Sequence, residues 1–490
     1  MSLPGQQEAP GLTESSKVLA NISTSQGKKR EEVVEDYSVP DEFEYAEGGW
    51  KAWMAILGSF LGFFPTWGFF YTAGVMQNYI AKNQLATAST STISWVFSVY
   101  NFCLLGSFVF SGLYFDLNGA RRPLILGNVM FLTGMFALGN CTKVWHFIVC
   151  LGILVGMGSG ISSSPLIGVV CHHFNRRRGI ATALAMNGGS IGGVVIPLML
   201  RSLFEKSGYP WAMRSLGFLS TGFLVCSVFL AREDPAKLHK PQPGTLLRNT
   251  SGPSFVSSFL SYLSGSFDYK ALKEPKYLFC TLGCCMAELS TGATLTYITS
   301  YCEVVGYRDE DAFYIITVLN ALSIVGGYIC SLLADVLFGR FNVMILINLL
   351  LGIIGFVMWL PFGSKGSGIM YAYGAIYGAL YGSMLNLAPV CCGEISRVDE
   401  FGRRYSTMYA LVGFTFLAGI PISGAIIGEG TLESYDNVII FFSAVSIAAG
   451  VFYLLSKCFA LQNPLKKSDS KESDFPGTLA LLVKSSLRRF

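Results

Sequence analysis

Charged residues are scarce in this sequence. Asp, Glu, Lys and Arg make up 13% of its 490 residues, about half the share found in an average soluble domain. Hydrophobic residues make up 52% and the mean hydropathy is +0.49, which is more apolar surface than globular cores can hide. The even balance of 35 basic and 31 acidic residues gives no reason to expect a nucleic-acid partner. The composition therefore predicts a protein that is solvated by lipid.

The residue clusters of metal sites and enzymes are also missing from the sequence. The 13 cysteines fall almost entirely inside apolar runs and form no CxxC pair, and the four histidines include no cluster with metal spacing. We find no paired acidic motif and no activated nucleophile. We therefore expect no metal, no cofactor and no enzymatic activity.

Twelve apolar runs are long enough to cross a bilayer as helices, which takes about 20 residues. They lie near 52–80, 93–113, 123–140, 144–171, 180–200, 215–230, 277–301, 312–333, 341–362, 366–392, 405–428 and 438–457. A polar, proline-containing stretch separates the sixth run from the seventh. The fold class predicted is an all-α integral membrane protein, with twelve transmembrane helices in two six-helix pseudo-symmetric bundles.

The predicted domains are a disordered N-terminal tail over 1–50, a bundle over 51–231, a linker over 232–276, a second bundle over 277–458 and a C-terminal tail over 459–490. Most Lys and Arg residues fall in the tails and in the loops on the same side of the membrane. The positive-inside rule then predicts that both termini and the linker are cytosolic, and we expect the plasma membrane as the location.

One motif occurs twice at equivalent places in the two halves. Asp116 at the end of the second run is followed by Arg121 and Arg122, and Asp335 at the end of the eighth run is followed by Arg340. Each carboxylate can form charge-assisted bonds to a neighbouring helix, and such bonds must break when the halves rock. The repeat predicts a cytosolic gate latch; the alternative is a plain helix-stop signal.

A further basic cluster, Arg176, Arg177 and Arg178, follows the fourth run. It is either a signal for orientation and contact with lipid headgroups or a part of the gate.

Several motifs resemble the major facilitator superfamily and, within it, the fungal branch of the monocarboxylate porter family. They are EGGWKAW at 47–53, FNRRRGIA at 174–181, NGGSIGG at 187–193, LNALS at 319–323 and GIPISG at 419–424. The resemblance implies a secondary transporter that works by alternating access, with a cavity lined by the first, fourth, seventh and tenth helices.

The sequence departs from that family at three positions. Family members that carry small monocarboxylates use a Lys in the first helix and an Asp and an Arg in the eighth. Here Tyr71 stands near the first position, and Ser323 and Gly327 replace the other two. The departure disfavours substrates such as lactate or pyruvate.

Glu288 is the one ionisable residue that the sequence places deep in the bilayer, near the middle of the seventh run. Its ionised form is costly there without a partner or water. It is either a proton-coupling residue or a neutral Glu that is hydrogen-bonded to a neighbouring helix. Asp116 and Asp335, at helix ends, are expected to be within reach of water.

The candidate substrate cavity is lined by aromatic side chains and by hydroxyl or amide groups. The candidates are Trp67, Tyr71, Ser163, Thr294, Tyr297, Asn320, Tyr377, Tyr381 and Asn386. Such a lining suits a sizeable, partly apolar, ring-containing molecule that is held by stacking and a few hydrogen bonds. Each aromatic residue has an alternative role in helix packing.

The expected partners are a small organic substrate, protons as a candidate co-substrate, and membrane lipids. The function favoured is alternating-access transport, with efflux of a fungal secondary metabolite as the preferred direction and cargo. The alternative is proton-coupled uptake of a carboxylate or of a vitamin such as riboflavin.

Overall fold

A computed structural model describes residues 45–88, 90–238, 262, 265–428 and 430–465. Most of the two predicted tails, and most of the central part of the predicted linker, lie outside the described residues. The described chain consists of long helices joined by short connections, as the apolar runs predict.

We number the long helices in chain order. In the first half they are α1 (Trp50–Lys82), α2 (Thr90–Gly106 continued by Phe108–Asn118), α3 (Arg121–Leu138), α4 (Val144–His173), and α5 and α6, which share the run Arg178–Leu230. In the second half they are α7 (Pro275–Val305), α8 (Asp309–Leu333 continued by Ala334–Phe338), α9 (Arg340–Phe362), α10 (Ser367–Glu394), α11 (Phe401–Ile427) and α12 (Leu432–Leu465).

Ten helical segments in the described residues are long and apolar enough to cross a membrane. One of them, the 53-residue run Arg178–Leu230, is two helices, because Gly208 has φ 74° and ψ 168° and reverses the chain. Glycine reaches this backbone conformation without the steric penalty of a side chain. With α3, which has 18 residues, the described residues form the twelve helices that the hydropathy predicts.

The helices pack as two sets of six. In the first set α1 packs along α5 and α6, and in the second set α7 packs along α12 and α8 along α10. Two seams join the sets, α2 against α11 and α5 against α8. The seams are equivalent when α1–α6 are superposed in order on α7–α12, so the interface itself has the pseudo-symmetry expected from the sequence.

Glycine gives α5 a face that approaches α1 closely. A Cβ at Gly188 or Gly192 would overlap the backbone carbonyl of Phe60 or Phe64 on α1. Small residues permit such backbone contact between membrane helices. The close contact fixes α1, which carries two of the candidate cavity residues, against α5.

We call the end of the molecule where α1 begins and α6 ends the linker end, and the opposite end the far end. At the linker end the segment after α6 folds back onto α4. There the Lys237 amine donates to the carbonyl of His172 and lies 3.6 Å from the centre of the Tyr45 ring. Burial lowers the pKa of Lys237 to about 8. These contacts join the segment before α1 to the segment after α6.

Candidate functional site

The first-half wall of the central interface is built by α1 and α4. The Trp67 indole Nε1 donates to Ser163 Oγ at 2.9 Å, and Ser163 donates in turn to the carbonyl of Ser159 at 2.7 Å. The Trp67 ring lies edge-on to Tyr71, with 6.0 Å between the ring centroids. The indole is thus held by a hydrogen bond on one side and a ring contact on the other.

Tyr71 reaches across the interface to the second half. Its ring lies edge-on to that of Tyr381 on α10, with centroids 6.2 Å apart and an interplanar angle of 78°. Trp67 and Tyr381 are each 2% exposed, and Tyr71 is partly exposed. The structure therefore brings these three candidates together. Trp67 and Tyr71 lie one turn apart on α1, and Tyr381 faces Tyr71 from the other half.

The second-half wall carries polar atoms without partners. In the described part of the chain, the Asn320 Oδ1 and the Asn386 Nδ2 are buried and make no hydrogen bond within the protein, whereas the Tyr377 hydroxyl lies beside the hydroxyl groups of Ser290 and Thr294 on α7. A buried polar group without a partner costs about 1–3 kcal/mol. Such groups in a native structure call for a bound water or ligand.

Two candidates on α7 face different neighbours. Thr294 is 1% exposed and interacts with Tyr377 on α10. The Tyr297 hydroxyl instead donates to the carbonyl of Ile420 on α11 at 3.1 Å, and its ring stacks near Phe442 on α12. Tyr297, predicted to line the cavity, therefore contacts α11 and α12, the outer neighbours of α7, in this structure.

Glu288 is buried in the middle of α7, 4% exposed. The Tyr409 hydroxyl on α11 donates to its Oε1 at 2.9 Å. No ion pair to Glu288 occurs among the residues that the structure describes. Its carboxyl group is thus held in the interior between α7 and α11.

One face of α11 connects Glu288 with the first half. The Tyr409 ring stacks on Phe108 of α2, with centroids 4.9 Å apart. One turn closer to the linker end, the hydroxyl groups of Ser406 and Ser164 are 3.0 Å apart. Tyr409 and Ser406 are not among the predicted site residues, because α11 is not one of the four helices expected to line the cavity.

The other seam has a similar polar layer between α5 and α8. Ser323 Oγ donates to Ser190 Oγ at 3.2 Å, and the Asn187 Nδ2 donates to the carbonyl of Ile324 at 3.5 Å. Both pairs lie near the middle of their helices. The two seams therefore close the interface on the linker side of the aromatic cluster.

Asp116 lies at the linker end of the α2–α11 seam. Its two carboxylate oxygens accept hydrogen bonds from the backbone N–H groups of Gly402 and Arg403, at 2.9 and 2.7 Å. These N–H groups open α11 and have no partner within the helix. Arg121 and Arg122 are exposed and do not pair with Asp116, so this carboxylate binds a helix start of the other half instead of an arginine.

Asp335 occupies the equivalent place on the α5–α8 seam. It accepts a hydrogen bond from the backbone N–H of Ile180 at 3.0 Å, close to the start of α5, and pairs with Arg340 at 3.0 Å. Arg340 also donates to the carbonyl of Asn175. Asp116 is 3% exposed and the Asp335 side chain is 3% exposed. The expectation that water reaches these two carboxylates is wrong, because each lies beneath the helix start that it caps.

The basic cluster before α5 is divided between surface and interior. Arg176 and Arg177 are exposed, and their backbone N–H groups, with that of Asn175, donate to the Glu47 carboxylate at 2.5–3.2 Å. Arg178 is buried, 2% exposed. Its guanidinium donates to the carbonyl of Phe174 at 3.2 Å and is near the linker end of α10.

Residues 53–398 match the sequence profile of the Major Facilitator Superfamily. This chain belongs to that superfamily. It is accordingly a transporter and a multi-pass membrane protein, not an enzyme, and transporters of this kind handle small organic substrates.

Several fungal transporters are similar over most of their length. The riboflavin transporter MCH5 of Saccharomyces cerevisiae is 42% identical over 425 residues, which cover 85% of this chain and 80% of the relative. The MFS-type transporter pynF of Aspergillus niger is 30% identical over 84% of this chain and 89% of its own. The aspyridones efflux protein apdF of Emericella nidulans is 29% identical over 88% and 82%.

Proposed function

We propose that this transporter carries riboflavin or a closely related uncharged, ring-containing molecule into the cell. The observation that carries the proposal is the aromatic cluster of Trp67, Tyr71 and Tyr381 between the halves, which has no basic residue to bind a carboxylate. Aromatic faces with a few hydrogen-bonding groups suit a flat, partly apolar ring. The 42% identity to a riboflavin transporter supports this cargo over the secondary metabolites of the relatives that are 29–30% identical.

We also propose the fungal monocarboxylate porter type as its subfamily, on the motifs quoted above. The linker end is assigned to the cytosol and the protein to the plasma membrane, on the distribution of Lys and Arg. In that orientation the latches at Asp116 and Asp335 close the cytosolic side.

The test is uptake of radiolabelled riboflavin into proteoliposomes that contain the purified protein. Tyr381→Leu should reduce uptake at least ten-fold, because it removes the ring that faces Tyr71 and lies beside the polar wall. Tyr269→Leu is the control, since Tyr269 is 61% exposed at the linker end. Absence of uptake by the unmodified protein would refute the proposed cargo.

Glu288 is proposed as the proton-coupling residue. Burial without an ion pair disfavours its ionised form, and Tyr409 holds it in the interior between α7 and α11, where substrate binding can change its access to water. Glu288→Gln should transport substrate at a rate that no longer depends on an imposed pH gradient. Glu303→Gln, at an exposed position near the far end of the same helix, is the control. A pH dependence that is unchanged in Glu288→Gln removes this residue from the mechanism.

Efflux of a secondary metabolite is the second candidate, favoured by the name of the aspyridones efflux protein. A comparison of metabolites in medium and cells, with and without the protein, distinguishes it from uptake. Accumulation of riboflavin inside the cells supports uptake, and loss of another compound to the medium supports efflux.

A further inference from the structure

The wall made by α8 and α10 holds two buried amide atoms without partners in the described residues: the Asn320 Oδ1 and the Asn386 Nδ2. These side chains are 1% and 3% exposed. They are too buried for bulk solvent to pair them, so each keeps an unused hydrogen-bonding site.

The helix packing gives these atoms an order along the wall. The two helices run in the same direction: Gly378 packs on Leu319, and Asn386 lies against Gly327. Tyr377 and Asn320 are therefore at one level. Gly327 comes seven residues after Asn320, so Asn386 lies two turns nearer the linker end than Asn320, about 10 Å along the axis.

Tyr381 lies between these two levels on α10, one turn from Tyr377. Its ring contacts Tyr71 of the opposite wall. The wall therefore presents an aromatic ring with a polar group on each side of it along the axis.

The polar site nearest the linker end contains a donor and an acceptor, both close to Gly327. The Asn386 Nδ2 and the Asn187 Oδ1 both lie within 3.6 Å of the place that a Cβ would take at Gly327. The Nδ2 of Asn187 is directed at the carbonyl of Ile324, which leaves its Oδ1 to accept. A carboxylate, which offers only acceptors, would face repulsion from this oxygen.

A donor beside an acceptor complements an imide or lactam edge, in which a ring N–H stands next to a C=O. Neutral amide side chains pair with such an edge without desolvating a charge. The flavin ring carries an imide edge at one end and a polyhydroxyl chain elsewhere on the ring. Its chemistry therefore offers partners for both ends of the wall.

We propose that Asn386 and Asn187 bind the imide edge of the substrate ring, and that Asn320 binds a hydroxyl group of its side chain. The inference rests on the proposed function and specifies how the same pocket selects its substrate. Asn386 donates to a ring carbonyl, Asn187 accepts from the ring N–H, and the ring lies against Tyr381.

The test measures how strongly three unlabelled compounds inhibit uptake of radiolabelled riboflavin into proteoliposomes. Riboflavin has both the imide edge and the polyol chain, lumichrome has the imide edge without the chain, and 3-methylriboflavin has a methyl group in place of the imide hydrogen. The unmodified protein should bind 3-methylriboflavin about ten-fold more weakly than riboflavin, as expected when a buried hydrogen bond is lost.

Two variants separate the ends of the wall. Asn386→Leu should weaken the binding of riboflavin and of lumichrome alike, each about ten-fold. Asn320→Leu should weaken the binding of riboflavin by a similar factor and leave that of lumichrome unchanged. Asn348→Leu is the matched control, because Asn348 is an equally buried amide on α9 whose Nδ2 bonds to its own helix at Met344.

The outcomes distinguish this inference from the proposed function. No riboflavin uptake by the unmodified protein would refute the proposed function and this inference with it. If Asn386→Leu binds riboflavin as strongly as Asn348→Leu does, the inference is overturned but the proposed function is not. Equal weakening of lumichrome and riboflavin by Asn320→Leu would overturn the assignment of the two ends.

Discussion

Replacing Asp116 by asparagine should open the linker end. The carboxylate accepts one hydrogen bond from each of two N–H groups at the start of α11, at 2.9 and 2.7 Å. A hydrogen bond to a charged group contributes about 1.5–3 kcal/mol. Asparagine keeps one acceptor, turns an NH₂ group towards the second N–H, and loses the charge that favours a helix start.

The closed conformation of the linker end should therefore lose about 2 kcal/mol of stability, which corresponds to one hydrogen bond to a charged group. Since 1.4 kcal/mol is a factor of ten in an equilibrium constant, the ratio of open to closed molecules should rise about thirty-fold. The effect falls on the equilibrium between conformations, so the variant should still insert into the membrane.

Native cysteines report this equilibrium. Cys171 on α4 and Cys392 on α10 lie near the linker end on opposite sides of the interface and are 1% and 0% exposed. Their labelling by a small maleimide, measured by peptide mass spectrometry, should follow the open fraction. Cys226 on α6 is exposed and serves as the internal reference.

Asp311→Asn is the matched control for this experiment. Asp311 is also an acidic residue at a helix start, and it pairs with Arg308 at 3.1 Å at the far end of the molecule. Equal labelling of Cys171 and Cys392 in Asp116→Asn and Asp311→Asn would refute the latch.

Two substitutions of glycine test the close contacts. Gly402→Ala places a Cβ 2.5 Å from the Asp116 Oδ1 and should increase the same labelling, whereas Gly368→Ala, which meets open space, should not; labelling that does not differ between the two contradicts the expectation. Gly192→Leu should disrupt the packing of α5 on α1 and lower the yield of monodisperse protein in detergent, and Gly222→Leu, also in open space, should leave it unchanged. Similar yields would show that the close approach of α1 and α5 is not required for folding.

The helices were predictable because a membrane imposes one length and one composition on each crossing. The third run, predicted at 123–140, is the helix Arg121–Leu138. Between the fifth and sixth runs the sequence predicted a break over 201–214, but helix continues on both sides of Gly208. Polar residues there end the apolar run without ending the helix, so hydropathy alone placed the boundary too early.

The site was less predictable because hydropathy carries no information on how each helix is rotated. Thr294 and Tyr297 are three residues apart on α7, yet one meets α10 and the other meets α11 and α12. Tyr409 was missed for a related reason, since a buried tyrosine in an apolar run has no signal of its own. Its contact with Glu288 follows only from the packing of α7 on α11.

The two seams share a geometry that links the latches to the pocket. On α11, Tyr409 lies seven residues after Gly402, and on α5, Asn187 lies seven residues after Ile180. Seven residues are two helical turns, about 10 Å, so a latched N–H and a residue beside the pocket share one face of one rigid helix.

Opening either latch must therefore displace a group at the base of the pocket, because a helix transmits such a shift along its axis. On α11 that group is the donor to Glu288, and on α5 it is the amide beside Asn386. Conversely, a substrate that holds Asn187, or a proton that changes the bond from Tyr409, alters the free energy of the corresponding seam. The same two helices can thus couple substrate and proton binding to the linker end without any moving loop between them.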